Sequence, residues 1–210
     1  MNSIAIVDYG AGNTRSVLRA FEAAGAEKVS LADTPEKLLA ADRIVLPGVG
    51  AGGAAMAGLR DRGLVEPLEE AVWRKRRPLL GICVGMQMMG DSIHEFGEHK
   101  GLGWIAGEVV NLAEIVAVDD IRVPHTGWDR VSQRGGEPIL SGDEKRSDFY
   151  FTHSFVLRPK IKDHVVATVN YGGEICAAVR RENIFGVQFH PEKSQLNGRR
   201  LLAAFMQWTP

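Results

Sequence analysis

Cysteine is scarce in this 210-residue sequence, and no apolar run is long enough to cross a bilayer. The two cysteines, Cys83 and Cys176, lie far apart and are too few for the disulfide framework of a small secreted protein. The amino terminus also lacks the basic start and long apolar stretch of a signal peptide. The sequence therefore predicts a cytoplasmic protein with no membrane partner.

The sequence also has no excess of positive or negative charge. The formal net charge is -1, which gives no electrostatic reason to expect a nucleic-acid partner. The one basic run, Arg74–Arg77, follows three glutamates and is typical of the solvated end of a helix. Length and ordinary composition, with 45% hydrophobic residues, predict a single domain over residues 1–210.

The first half of the sequence alternates strand and helix patterns. The predicted strands are short and almost wholly apolar, which suits strands buried on both faces of a parallel sheet. This order predicts an α/β fold with an open, mostly parallel sheet flanked by helices. The strands are predicted at Ile4–Val7, Lys28–Leu31, Arg43–Leu46 and Pro78–Ile82, and the helices at Ser16–Ala24, at Gly63–Arg76 and from Pro35 after a Thr34 cap.

The second half is richer in strands that turn signals separate. Such spacing is typical of antiparallel hairpins, so we expect additional antiparallel strands joined to the parallel part. Strands are predicted at Gly107–Leu112, Phe149–Leu157, Val165–Asn170, Glu174–Arg180 and Ile184–Phe189, and a last helix at Gly198–Trp208.

The segment Gly81–Gly85 carries the sharpest chemical pattern. Cys83 follows an apolar strand, precedes the helical run Met86–Met89 and has glycine two residues to either side. This is the spacing of a nucleophile elbow, in which a tight strand-to-helix turn tolerates only small neighbours. The elbow also places the sulfur near a helix amino terminus, which favours the thiolate. A buried structural cysteine is the alternative, but the flanking glycines favour a nucleophile.

A cysteine nucleophile needs a base, and the base needs a group that orients it. His190 and Glu192 provide both, because residues two apart in an extended segment project to the same side. Pro191 between them keeps the backbone out of a helix. The pair follows the strand Ile184–Phe189, and open α/β sheets place their sites at the carboxyl ends of strands.

Acyl transfer also needs donors for the oxyanion. The backbone N–H of Val84 is one candidate. The other is the glycine-containing segment Pro47–Gly50 after the third strand, where backbone amides can approach a substrate closely. An ordinary turn between strand and helix is the alternative interpretation of that segment.

Other patterns do not support a cofactor or a metal. Gly10–Gly12 resembles the start of a dinucleotide fingerprint, but Arg15 stands where its third glycine belongs. His94 and His99 are five residues apart, so they would not share a helix face as zinc ligands do, and we predict a loop there. His125 and His153 have no visible metal partners and are predicted to be hydrogen-bonded structural histidines.

Together these segments resemble the class I glutamine amidotransferase family, which uses a Cys-His-Glu triad. Three segments carry the resemblance, in the family's order and over most of the chain: Pro47–Gly50, Gly81–Gln87 and Gly186–Glu192. The resemblance implies a flavodoxin-like α/β sheet and a glutaminase activity without a cofactor or metal. Cys83 would form a glutamyl thioester, His190 would move protons and Glu192 would orient His190. The residues implied to bind glutamine are Gly48, Val49, Gly50, Val84, Gln87, Ser154 and Phe155.

Four further segments are similar to the branch of this family that serves histidine biosynthesis: Asp8–Asn13, Pro124–Trp128, Tyr150–Phe155 and Lys193–Ser194. This resemblance implies a heterodimer with a (β/α)8-barrel cyclase subunit. The cyclase would use the ammonia to make imidazole glycerol phosphate and an aminoimidazole carboxamide ribotide. The residues implied to lie near that partner are Asn13, Arg15, Trp128 and Lys193.

A few positions depart from the family pattern: Gly52 replaces a frequent Phe, Thr126 a Met and Phe155 a Tyr. These changes bear on packing and glutamine binding and leave the triad intact. Three alternatives stay open at this point. They are a glutaminase that serves another synthase, a catalytically silent partner-binding subunit, and a stand-alone γ-glutamyl hydrolase.

Overall fold

The structure is a computed structural model that describes residues 2–116, 121–140 and 147–210. Within these ranges the strands are β1 (Ile4–Val7), β2 (Val29–Ala32), β3 (Arg43–Gly48), β4 (Leu79–Cys83), β5 (Ser92–His94), β6 (Glu98–Lys100), β7 (Gly107–Asn111), β8 (His125–Gln133), β9 (Asp148–His153), β10 (Phe155–Pro159), β11 (Val165–Asn170), β12 (Glu174–Arg181) and β13 (Ile184–Val187). The α-helices are α1 (Thr14–Ala23), α2 (Pro35–Ala40), α3 (Gly52–Asp61), α4 (Val65–Glu69), α5 (Val84–Gln87) and α6 (Gln195–Gln207).

Nine strands form one mixed sheet in the order β2-β1-β3-β4-β13-β12-β11-β8-β9. The first five are parallel neighbours, and the last four join antiparallel. The remaining strands form a smaller sheet in the order β10-β7-β5-β6. The predicted fold class is thus confirmed, with a parallel part made of β1–β4 and the late strand β13, and an antiparallel extension made of β12, β11, β8 and β9.

The parallel strands are buried as their apolar sequences predict. Every residue of β1, β3, β4 and β13 is buried, whereas the edge strand β2 is only partly covered. Helices α1 and α6 pack together through Phe21 and Phe205, whose ring centroids lie 6.2 Å apart in an edge-to-face arrangement. Such a pair contributes about 0.5–1.5 kcal/mol beyond the area it buries.

The strand predicted at Phe149–Leu157 is two strands, because the chain leaves the large sheet in the middle of this range. Strand β9 ends at His153, and β10 starts at Phe155 in the small sheet. The buried positions of β9 alternate as far as His153, and then Val156 and Leu157 are buried in succession. Because alternation fixes which face of a sheet a residue meets, this change of phase at Ser154 marks the break.

Two further elements differ from the sequence prediction. The loop expected around His94 and His99 is a hairpin of β5 and β6, with only residues 95–97 outside its strands. Helix α3 was not predicted, because its glycines have low helix propensity. A Cβ atom at Gly58 in this helix would lie 2.7 Å from the backbone oxygen of Tyr9, so glycine permits close packing there.

The basic run closes a helix as predicted, although the helix changes form before it ends. Helix α4 continues into a π-helical turn, Glu70–Arg74, and Arg76 beyond it forms an ion pair with Glu182. Among the helices of the described ranges, none has the length and apolar character needed to cross a membrane.

Candidate active site

Cys83 is the last residue of β4, and α5 begins at the next residue. Its φ of 53° lies in the left-handed region, which costs a non-glycine residue about 1–3 kcal/mol. A Cβ atom at Gly85 would come within 1.8 Å of the backbone oxygen of Leu46, and one at Gly81 within 2.4 Å of the terminal carbon of Met89. The two glycines are therefore needed for the close packing that the elbow requires.

His190 and Glu192 form a buried hydrogen-bonded pair. The Nδ1 atom of His190 lies 2.7 Å from Oε1 of Glu192, and each side chain is only 2% exposed. A carboxylate only accepts hydrogen bonds, so Nδ1 carries a proton and the other ring nitrogen is left for Cys83. Cys83 and His190 line the same cavity, and the interaction with Cys83 contributes to the raised pKa of His190. The structure thus brings the three predicted catalytic side chains together.

The surroundings of His190 keep its ring charged at neutral pH. Burial by itself lowers the pKa of an imidazole, but the interaction with Cys83, the hydrogen bond with Glu192 and the charges of both raise the pKa of His190 to about 9. An imidazolium beside the sulfur is the arrangement of an activated cysteine nucleophile.

The predicted oxyanion segment lies directly beside the nucleophile. Gly48 is the register partner of Cys83 across the parallel pair β3–β4, and a Cβ atom at Gly48 would lie 2.6 Å from Cβ of Val84. Gly50 adopts a φ of 81°. Both candidate sources of oxyanion donors, Val84 and the segment Gly48–Gly50, therefore flank the sulfur, although their role in catalysis stays a prediction.

Tyr9, which was not predicted to belong to the site, holds the predicted oxyanion segment Pro47–Gly50 in place. Its buried hydroxyl donates to the backbone oxygen of Pro47 at 2.8 Å. Burial, and then the charges of Cys83 and Asp8, raise the pKa of Tyr9, so the hydroxyl keeps the proton that it donates. The oxyanion segment is thus fixed at Pro47, whereas Val49 is 37% exposed.

A cavity of about 550 Å³ opens over the nucleophile. Its volume lies in the range of small-molecule sites. Of the residues predicted to bind glutamine, only Gly48 does not line the cavity. Among the three predicted catalytic residues, Glu192 does not line the cavity and contacts His190, which does. The described residues that line the cavity are Val49, Gly50, Ala51, Cys83, Val84, Gln87, Glu95, Phe96, Pro124, Thr152, His153, Ser154, Phe155, His190 and Lys193.

The amide of Gln87 is already partly engaged by the protein. Its Nε2 atom donates to the backbone oxygen of Phe155 at 2.8 Å and to Oε1 of Gln188 at 3.2 Å. The group that Gln87 has left for a ligand is therefore its oxygen, an acceptor. Its role in substrate binding stays a prediction, as do those of Ser154 and Phe155.

Glu95 is a pocket residue that the sequence prediction missed. It stands just after β5 and supplies the only carboxylate among the described residues that line the cavity. Its Oε2 atom accepts from the backbone N–H of Gly52 at 2.6 Å, which fixes the carboxylate and leaves Oε1 for a ligand. No short motif marks Glu95, because the hairpin reaches the cavity from the smaller sheet.

The two histidines predicted to be structural form one hydrogen-bonded network. His125 Nδ1 lies 3.1 Å from His153 Nε2, and His125 Nε2 lies 2.7 Å from Oδ2 of Asp129. His153 Nδ1 lies 2.9 Å from the backbone oxygen of Phe155. Burial lowers the pKa of His125, and burial followed by the His125 and His190 charges lowers that of His153 to about 3.

The four residues predicted to lie near a partner all have surface that a partner can reach. Trp128 is 46% exposed and packs edge-to-face on Tyr150, with ring centroids 6.0 Å apart. The ammonium of Lys193 lies 5.7 Å from the centre of the same ring. Asn13 and Arg15 follow the carboxyl end of β1, the sheet edge at which Cys83 also lies. Contact with a partner stays a prediction for all four.

The chain is similar to known proteins over nearly its whole length. The family model described as class-I glutamine amidotransferase matches residues 5–208. A curated relative from Zymomonas mobilis, the imidazole glycerol phosphate synthase subunit HisH, is 45% identical over 213 residues, which cover 100% of this chain and 97% of the relative. The protein of the same name from Rhodospirillum rubrum is 43% identical over 214 residues and 99% of both chains.

Solved structures agree with the fold at low sequence identity. A crystal structure of a glutamine amidotransferase gives a TM-score of 0.72 at 19% identity and covers 97% of both chains. The structure of PurLQS from Thermotoga maritima gives 0.71 at 18% identity, with 99% of both chains covered. At these identities the likeness concerns the fold alone.

Proposed function

The chain belongs to the class-I glutamine amidotransferase family, and from this premise we propose that Cys83, His190 and Glu192 release ammonia from glutamine for a synthase. The observation that carries the proposal is the buried His190–Glu192 pair, whose histidine lines the same cavity as Cys83 at its strained elbow. The relatives named imidazole glycerol phosphate synthase subunit HisH, 43–45% identical over nearly the full chain, support the glutaminase subunit of that synthase as the specific role. We propose one catalytic domain that acts in the cytoplasm.

The geometry supports a two-step reaction. The Cys83 sulfur attacks the side-chain amide carbon of glutamine, and backbone N–H groups at Val84 and Gly50 stabilise the resulting oxyanion. The carbon–nitrogen bond breaks as the His190 imidazolium gives its proton to the departing ammonia, and a glutamyl thioester remains. The neutral ring then takes a proton from water, which attacks the thioester and releases glutamate and the thiolate. Glu192 holds the ring in position throughout.

Glu95 gives the substrate its orientation in this proposal. Glutamine carries an α-ammonium group, and a fixed, largely buried carboxylate is the group that binds it best. The amide end then lies at Cys83, and the acceptor oxygen of Gln87 is available to a substrate N–H. A ligand without an α-ammonium group would leave Oε1 of Glu95 covered and without a donor, which opposes binding of that ligand.

Replacement of Glu95 by glutamine is expected to raise the KM for glutamine about 10- to 100-fold, because a charged hydrogen bond to the substrate is lost. The kcat should change far less, since the triad is untouched. Steady-state glutaminase kinetics measure both constants. Glu98→Gln removes an exposed carboxylate from the same hairpin and is the matched control. An unchanged KM in Glu95→Gln would show that the α-ammonium binds elsewhere.

The partner proposed for this chain is a (β/α)8-barrel cyclase subunit, with which it forms a heterodimer. The name of the relatives describes one subunit of a synthase. Exposed apolar side chains near the cavity support a docking surface there: Phe96, which lines it, is 92% exposed, and Trp128 is 46% exposed. Asn13, Arg15 and Lys193 supply polar groups at the same edge of the sheet.

The experiment that tests the proposed function compares two nitrogen sources. The purified protein is mixed with the cyclase subunit and its ribotide substrate, and turnover is followed with glutamine or with ammonium. We expect glutamine to support turnover only when this protein is present, and ammonium to support it with the cyclase alone. Glutamine hydrolysis that never couples to the cyclase would keep the triad assignment and overturn the partner. Absence of hydrolysis in the complex would overturn the glutaminase assignment.

A further inference from the structure

Gln188 is a buried polar residue next to the nucleophile that the proposed reaction does not use. It follows the last residue of β13, two positions before His190, and has no exposed surface. Its Nε2 atom lies 3.6 Å from the Cys83 sulfur, and its Oε1 atom accepts from Nε2 of Gln87 at 3.2 Å. The amide therefore bridges the nucleophile and a residue of the substrate cavity.

The orientation of this amide is fixed from both ends. The backbone N–H of Gln188 donates to the oxygen of Ala177 at 2.9 Å, which holds the residue against β12. The side-chain oxygen must face Gln87, because Gln87 presents its donor there while the same nitrogen also binds the Phe155 oxygen. The nitrogen of Gln188, which only donates, must then face the sulfur.

We propose that Gln188 is a positioning residue for Cys83, an inference that rests on the glutaminase function proposed above. A thiolate is a stronger hydrogen-bond acceptor than a thiol or a thioester sulfur. The N–H of Gln188 therefore stabilises the thiolate of Cys83 more than either of the other forms, and it restrains the position of the sulfur.

The bridge also ties the nucleophile to the substrate cavity. Gln87 lines the cavity and holds the oxygen of Gln188, so removing the Gln87 amide frees Gln188 to turn away from the sulfur. The two glutamines then act as one unit, and residues within one hydrogen-bonded network show non-additive effects when both are replaced.

The test follows alkylation of Cys83 by iodoacetamide across a range of pH, with no substrate or partner present. Burial raises the pKa of the other cysteine, Cys176, to about 12, so labelling over neutral pH reports Cys83. In Gln188→Met, which keeps the side-chain length and removes the donor, we expect the pH midpoint of labelling to rise by about one unit. We also expect kcat for glutamine to fall about tenfold, with KM changed less than about twofold.

Gln133→Met is the matched control. Gln133 is the last residue of β8, in the same sheet as β13 but away from the triad, and its side-chain amide donates to the backbone oxygen of Leu140. The labelling profile of Gln133→Met should equal that of the wild type. Gln87→Met should raise the midpoint by a smaller amount, and the double variant should add little to Gln188→Met.

An unchanged profile in a folded Gln188→Met variant would overturn the proposal. If Gln188→Met does not fold, an unchanged pH profile of Cys83 labelling in Gln87→Met would overturn the proposal. Because labelling needs neither glutamine nor the cyclase, failure of this proposal is distinct from failure of the proposed function.

Discussion

Replacement of Cys83 by alanine is expected to abolish glutamine-dependent turnover of the assembled complex while ammonium-dependent turnover stays within about twofold of the wild type. The loss should reach roughly 10⁴-fold or more, as when a nucleophile is removed from other triads. The residue is buried at the end of β4, and alanine lacks only the sulfur, so the elbow should persist. Coupled turnover with glutamine and with ammonium, measured on the same preparation, checks both halves of this expectation.

Cys176→Ala is the matched control for this experiment. Cys176 lies on β12, where burial raises its pKa to about 12, so its thiol stays protonated at neutral pH. We expect both turnovers to be unchanged in this variant. If Cys83→Ala lost turnover with ammonium as well as with glutamine, the sulfur of Cys83 would have a structural role in the complex, and the nucleophile would have to be sought elsewhere.

Replacement of Glu192 by glutamine is expected to slow glutamine hydrolysis about 10²–10⁴-fold near pH 8. The substitution keeps the volume and an oxygen for Nδ1 of His190. The second oxygen, Oε2, has no hydrogen-bond partner among the described residues, so an amide nitrogen there breaks no bond. The change therefore removes mainly the charge that, with Cys83, helps to raise the pKa of His190 to about 9.

The pH profile separates loss of this charge from loss of structure. Ammonia leaves only with a proton from the His190 imidazolium, so turnover falls as pH rises through the pKa of His190. The alkaline limb should lie near 9 in the wild type and move towards the ordinary histidine value of about 6.5 in Glu192→Gln. Glu95→Gln should raise KM without moving this limb. An alkaline limb that stays in place in Glu192→Gln would show that Glu192 does not set the charge state of His190.

Local patterns were enough to single out Cys83, His190 and Glu192, because the geometry that each pattern predicts is itself local. The strand, Cys83 and the glycines on either side lie within a few residues, and their small side chains are what the turn requires. His190 and Glu192 are two residues apart and needed only an extended backbone to meet. Continuous apolar runs such as those of β3 and β4 likewise predict a parallel sheet, because both faces of such a sheet are covered by helices.

The residues that sequence reasoning missed depend on contacts between distant segments. Glu95 enters the cavity from a hairpin of the smaller sheet, and Gln188 contacts Gln87 about a hundred residues away in the chain. Tyr9 reaches Pro47 across neighbouring strands. The periodicity of apolar side chains indicates which face of a strand is buried. It does not indicate which polar group of a distant segment packs against that face.

Three hydrogen bonds in series join Asp129, His125, His153 and the backbone oxygen of Phe155. The Asp129 carboxylate and the Phe155 carbonyl stand at the two ends of this series, and neither donates. Three hydrogen bonds between them need three protons, whereas two neutral imidazoles carry only two. Burial holds His153 neutral, so all three bonds exist together only while His125 carries both of its protons. Burial also lowers the pKa of His125, so the side-chain link from Asp129 to Phe155 is completed only under acidic conditions, while the backbone pairing of β8 with β9 holds Trp128 in place in either state.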